Sequence, residues 1–78
     1  MELNSLREMV EFGSDIEFEY RGKQYVILPW TVQGILIAEQ YTDNEAIYET
    51  YDDLLNKHSL DGTPFKDVVD EINITFHA

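Results

Sequence analysis

Between Ile16 and Leu28 apolar and polar residues alternate on either side of one Arg-Gly pair, and this run limits the fold more than any other part of the chain. Ile16, Phe18 and Tyr20 point one way and Glu17 and Glu19 the other, the pattern of a strand over 15–21 that is buried on one face and wet on its back. Arg21-Gly22 is a turn, with glycine supplying a positive φ. Lys23 to Leu28 is the return strand. A two-residue loop pairs Phe18 with Tyr25 and Ile16 with Ile27. A one-residue bulge would bring Val26 and Leu28 onto the matched face instead, and the residues accommodate both registers.

Pro29 lacks a backbone donor and is expected to end the second strand. Trp30 to Gln33 then form a connection, and Gly34 to Gln40 a third strand. Ile35-Leu36-Ile37-Ala38 is apolar on both sides, as in a strand covered on both faces or an edge used as an interface. The period changes elsewhere. Ser5 to Phe12 is expected to be a helix, with Ser5 and Glu8 as a capping box, Leu6, Met9 and Val10 on one face, and Gly13 as its stop. Thr42-Asp43-Asn44-Glu45 reads as a second capping box opening a helix to about Lys57, with Ile47, Tyr48, Tyr51, Leu54 and Leu55 as the buried stripe. Asp61-Gly62 is a break. Thr63 caps a last helix with Pro64 at its first position, and Phe65, Val68, Val69 and Ile72 form its stripe. The spacing of Ile72, Ile74 and Phe76 also fits a short C-terminal strand. The expected fold is α+β in two layers. A three-stranded antiparallel meander, with a short fourth strand compatible with the C-terminus, is packed by an N-terminal helix and two C-terminal helices.

The chain has 78 residues, which sets one domain, 1–78, as the expectation. Its 44% hydrophobic content supports a folded core despite a net charge of -11, from 16 Asp+Glu against 5 Lys+Arg. Repulsion among the carboxylates lowers stability, and salt relieves it. So few cations argue against a direct grip on nucleic acid or on an anionic membrane. The longest apolar stretch, Ile35 to Ala38, is far short of a membrane span of about 20 residues, and Met1 to Glu8 lacks the pattern of a leader, so a cytoplasmic location is expected. Asn73-Ile74-Thr75 matches a glycosylation sequon, which means nothing without a secretory route.

Catalytic chemistry lacks its parts. There is no cysteine, none of Ser5, Ser14 and Ser59 sits in a nucleophile-elbow motif, and the four glycines are isolated, so no cofactor loop is present. His58 is read as the end of a helix, where positive charge favours the dipole, and His77 as a terminal residue. Asp43, Glu45 and Glu49 could hold a hard cation only weakly. Neither catalysis, cofactor nor metal is therefore expected.

Two features point to a partner. Residues 43 to 71 hold 9 acids against Lys57 and Lys66. On the expected helix, Glu45, Glu49, Asp52 and Asp53 would run along one face, about a turn apart. Such a row steers a basic protein partner onto the chain, including a nucleic-acid-binding one whose phosphate groove it would occupy by mimicry; the alternative is a solvated face that confers solubility. Trp30, on a connection beside a proline and with Val32 and Tyr41 nearby, is either a plug for the small core or an exposed anchor. In the second case the contact is an apolar Trp30 and third-strand surface, for a partner or for a second copy forming a homodimer.

Glu17-Phe18-Glu19-Tyr20-Arg21-Gly22-Lys23-Gln24-Tyr25, the acidic segment Asp52-Asp53-Leu54-Leu55, and Asp61-Gly62-Thr63-Pro64 ahead of the last helix together resemble small uncharacterised acidic proteins of Gram-positive bacteria, their phages and mobile elements. The resemblance implies a cytoplasmic accessory protein, phage-derived, in a setting where inhibitors of host or defence machinery occur. It transfers no functional residue.

Overall fold

The computed structural model describes residues 3–78, with side chains from Ser5 onward. Strands β1 (Ile16–Tyr20) and β2 (Lys23–Thr31) form the expected hairpin in the two-residue register, Ile16 opposite Ile27 and Phe18 opposite Tyr25. Arg21 and Gly22 both have positive φ, 51° and 81°, a turn whose twist suits a hairpin. Phe18 and Tyr25 stack with ring centroids 5.1 Å apart, which locks the register. β2 does not end at Pro29. It continues to Thr31 because the pairing slips between Leu28 and Thr31, and such a bulge takes up a residue that cannot donate.

Strand β3 (Gly34–Glu39) pairs with β2 on one side and on the other with β4 (Glu45–Tyr48). β4 corrects the expectation of one helix from Thr42 to Lys57. Glu45-Ala46-Ile47-Tyr48 is short enough to fit either period, and the free edge of β3 supplies the hydrogen bonds that decide for a strand. Thr42 organises the preceding loop instead of capping a helix: its hydroxyl donates to the Glu39 carbonyl and accepts from the Asn44 N–H. Helix α2 (Tyr51–Lys57) starts only at Thr50, whose hydroxyl accepts from the Asp53 N–H at 3.1 Å.

Helix α1 (Leu3–Phe12) begins ahead of Ser5, so Ser5 lies within the helix and not at its cap. Its end is as read: Gly13, at φ 91°, and Ser14 donate to the carbonyls of Val10 and Met9, the paired bonds of a Schellman stop. After α2, Asp61-Gly62 is more than a break. Both residues have positive φ and join strands β5 (Ser59–Leu60) and β6 (Thr63–Pro64) in a second hairpin. Thr63 is therefore a strand residue, and α3 (Phe65–Val68) begins one residue after Pro64 and tightens into a 3-10 turn, Val69–Glu71. Strand β7 (Asn73–His77) closes the sheet beside β1 with a bulge between Glu17 and Phe18.

The sheet has five antiparallel strands in the order β4-β3-β2-β1-β7: the expected three-stranded meander, the C-terminal strand that the spacing of Ile72, Ile74 and Phe76 allowed, and β4. The helices lie on one face only. Leu6 and Val10 of α1, Tyr51, Leu54 and Leu55 of α2, and Phe65, Val68, Val69 and Ile72 pack with Ile16, Phe18, Tyr20, Tyr25, Ile27, Ile35 and Ile37 in one core. Arg7 joins α1 to α2 by donating to Asp52 at 2.6 Å while lying over the Tyr51 ring.

Tyr51 carries a buried hydroxyl with no hydrogen-bond partner among the described residues, and burial pushes its pKa up to about 12. An unpaired buried hydroxyl costs about 1 kcal/mol or more. Tyr51→Phe is therefore expected to raise stability by about 1 kcal/mol; a lower urea midpoint than wild type would show that the hydroxyl is satisfied in solution.

Candidate functional site

Among the described residues no helix packs on the face of the sheet opposite the core, where Val26, Leu28, Leu36 and Ala38 are half-buried and Ile47 is exposed. In β1 to β4 the residues between the core positions point there, since side chains alternate along a strand, and the pairing arranges them in rows. One row crosses all five strands: Phe76, Glu17, Val26, Ala38, Glu45. The next is Leu28, Leu36 and Ile47. Beyond the first row on the other side lie Asn73, Glu19 and Gln24. An apolar strip of Val26, Leu28, Leu36 and Ala38 thus runs along β2 and β3 in the middle of the open face and reaches Ile47 on the edge strand β4, with Glu17 beside it on β1 and Glu45 two residues from Ile47 on β4. The third strand is covered on one face only and is interior to the sheet, because β4, which the helical reading had removed, takes the edge.

The charges divide between the two sides of the molecule. On the open face Glu17 accepts from the Gln40 side chain at 2.9 Å and Glu19 from Gln24 at 3.3 Å. Asp15, beside them, accepts from the Trp30 indole N–H. All these donors are neutral, and among the described residues no Lys or Arg pairs with Asp15, Glu17, Glu19 or Glu45. The cations lie elsewhere. Arg7, Lys57 and Lys66 belong to the helices, Lys23 bonds Asp61 at 2.7 Å at the β5–β6 hairpin, and Arg21 lies over the Tyr20 ring in the turn.

The acids expected on one helical face are therefore separated. Glu45 is on the open sheet face, Glu49 is exposed in the connection after β4, and Asp52 and Asp53 are in α2. Asp52 is held by Arg7 and Asp53 lies 3.6 Å from Lys57. The helix is too short to line up all four, since the first belongs to a strand and the second precedes the cap. Trp30 is not a core plug. It is 60% exposed at the end of β2, pinned by Asp15. Val32 and Tyr41 are fully exposed, but at opposite ends of β3, about 20 Å apart at the rise of a strand, so Tyr41 does not join Trp30 in one patch. Glu17, Glu19 and, on β2, Val26 and Leu28 were missed as site residues, whereas Leu36 lies on the third strand that the apolar alternative had named. Their signal was present in the wet, acidic back of β1 and in the two-sided apolar run of β3.

A concavity of about 350 Å³ lies between the β3–β4 loop and the β5–β6 hairpin, with Lys23, Glu39, Glu45, His58 and Asp61 in its lining. His58 ends α2 by donating its backbone N–H to Leu54, but its ring is half-buried between Tyr48 and Phe65 and its Nδ1 is 2.9 Å from the Tyr48 hydroxyl. Burial pushes its pKa below the ordinary value, so the ring resists the positive charge expected of it at a helix end. Asp61 is taken by Lys23, and no hydrogen bond among the described residues joins His58 to a carboxylate. Among those residues no three His, Asp or Glu side chains gather as a metal site.

The His58 shift makes stability depend on pH. The unfolded chain binds the proton with the ordinary pKa of about 6.5 and the folded chain more weakly, so its contribution is complete above about pH 6.5 and is lost as the pH falls below it toward the folded value. Urea midpoints measured from pH 8 to 5 at fixed salt should fall more steeply for wild type than for His58→Phe; parallel profiles would contradict this.

Fold and site together define a class: a small two-layer α+β protein with a bare, apolar and acidic sheet face. Comparison with protein-family models, curated proteins and solved structures found no match to this chain. No helix among the described residues is long and apolar enough to cross a membrane.

Proposed function

We propose that this protein is a non-enzymatic binding protein that engages a basic protein partner, and that the open sheet face is its contact surface. The observation that carries the reading is the separation of charge: among the described residues Asp15, Glu17, Glu19 and Glu45 have only neutral donors or none, and the lysines and arginines sit away from that face. Burying carboxylates against a partner without cations leaves them desolvated and unpaired, at a cost of several kcal/mol, so the complementary surface is positive. A second copy is disfavoured as the occupant, because face-to-face contact would oppose four carboxylates from each copy with no cation between them. Following the resemblance to phage and mobile-element proteins, the narrower form is an inhibitor that occupies the phosphate-binding groove of a nucleic-acid-binding protein.

Affinity capture from native host lysate at low salt, followed by a salt step, tests the reading. Glu17→Lys/Glu45→Lys should weaken the captured partner's affinity at least tenfold, since a reversed pair replaces attraction by repulsion. Affinity should also fall as ionic strength rises, and duplex DNA should compete if the groove is a nucleic-acid site. Equal capture by the reversed protein would overturn the reading. Loss of capture in Asp52→Lys/Asp53→Lys alone would move the contact to α2.

A further inference from the structure

The open face also restricts the shape of what covers it. β1, β2 and β3 are each hydrogen-bonded on both sides, so the middle of this face offers side chains and no backbone donors or acceptors. An occupant lying there must satisfy its own backbone internally. A lone extended segment does not do so; it would add to the edge at β4 or β7 instead. The apolar strip is also narrow. Leu28, Leu36 and Ile47 sit on three adjacent strands, about 10 Å across at the usual strand spacing, which matches the width of one α-helix. Glu17 and Glu45 stand on β1 and β4, about 14 Å apart by the same spacing, so they lie at the two margins of a helix centred over β2 and β3, with Ile47 under its β4 side. Lysine or arginine side chains flanking an apolar helical stripe have the reach to meet both while their stems cover the margin.

Building on the proposed role of this face, we infer that its occupant is an amphipathic α-helix of the partner, with an apolar stripe seated on Val26, Leu28, Leu36, Ala38 and Ile47 and basic residues on both flanks meeting Glu17 and Glu45. The helix turns two layers into three, with the sheet covered on both faces.

The test is a titration of the full ¹⁵N-labelled chain with three synthetic peptides of about five helical turns. One has leucines in a single helical stripe and lysines elsewhere; one has the same composition with the stripe scrambled; one has glutamates replacing the lysines. The striped basic peptide should bind at least tenfold more tightly than the scrambled one and become helical by circular dichroism. It should move the amide signals of Val26, Leu36, Ala38 and Ile47, and the acidic peptide should not bind. Leu36→Lys, and separately Glu17→Lys/Glu45→Lys, should each weaken it at least tenfold. If the scrambled peptide binds this face equally well, the helix is wrong while the basic-partner reading stands. If no peptide binds, or the signals that move are those of Asp52, Asp53 and Asp67, both fall.

Discussion

Gly34→Ala is expected to destabilise the protein by about 3 kcal/mol, a sum of backbone strain and a close contact. Gly34 opens β3 at φ 133°, where side-chain-bearing residues are rarely found, and a methyl group there would press into the backbone carbonyl of Tyr48 at the end of β4. Neither side has an easy way to yield, because Ile35 is paired with Tyr48 and Gly34 with Thr31. Relief would come from parting β3 and β4, which between them carry Leu36, Ala38, Glu45 and Ile47. The substitution should therefore reduce partner binding as well as stability, although residue 34 itself is outside the apolar strip. Urea unfolding of the variant checks the first effect; a midpoint equal to that of wild type would mean that the strand ends are looser than the structure shows.

Phe18→Ala should cost still more, about 3–5 kcal/mol, as expected for truncating a buried aromatic ring. Phe18 is wholly buried and links the layers: it stacks on Tyr25 within the hairpin and meets Phe65 of α3 at 6.0 Å between ring centroids. Small domains commonly have about 5–15 kcal/mol in total, and the net charge of -11 works against compactness here. A largely unfolded variant at low ionic strength is the expected result, read as lost dispersion of amide signals, with partial recovery on adding salt as the repulsion is screened. A variant that remains fully folded at low salt would place the core's main support elsewhere.

The same physics explains which parts of this molecule could be read in advance. The first hairpin was legible because its alternation, its Arg-Gly turn and its cross-strand aromatic pair agree, and the choice between registers fell to the two-residue turn. The Gly13 stop of α1 and the C-terminal strand rested on similarly local signals. The segment from Thr42 to Tyr48 was misread because a four-residue run satisfies two periods at once, and a capping signal at Thr42 resembles the true one at Thr50. The Asp61-Gly62 hairpin was available in that dipeptide, a strong turn signal, but the helical stripe that follows drew the boundary too early.

The candidate site shows the same division. The alternation of Glu17 and Glu19 with buried neighbours, the apolar run from Ile35 to Ala38, and the shortage of cations are properties of the chain, and each follows from residue order alone. Their meeting on one surface is not. Strand pairing brings Glu17, Val26, Ala38 and Glu45, far apart in sequence, into a single row, and the crossing of α1 and α2 hands Asp52 to Arg7. Local periodicity determined which residues of the first hairpin face in or out, whereas for Glu45 to Tyr48 pairing with β3 decided it and turned Ile47 outward. Only long-range pairing decided which outward faces became neighbours, because a side chain's partners across a sheet are set by hydrogen bonds between distant segments.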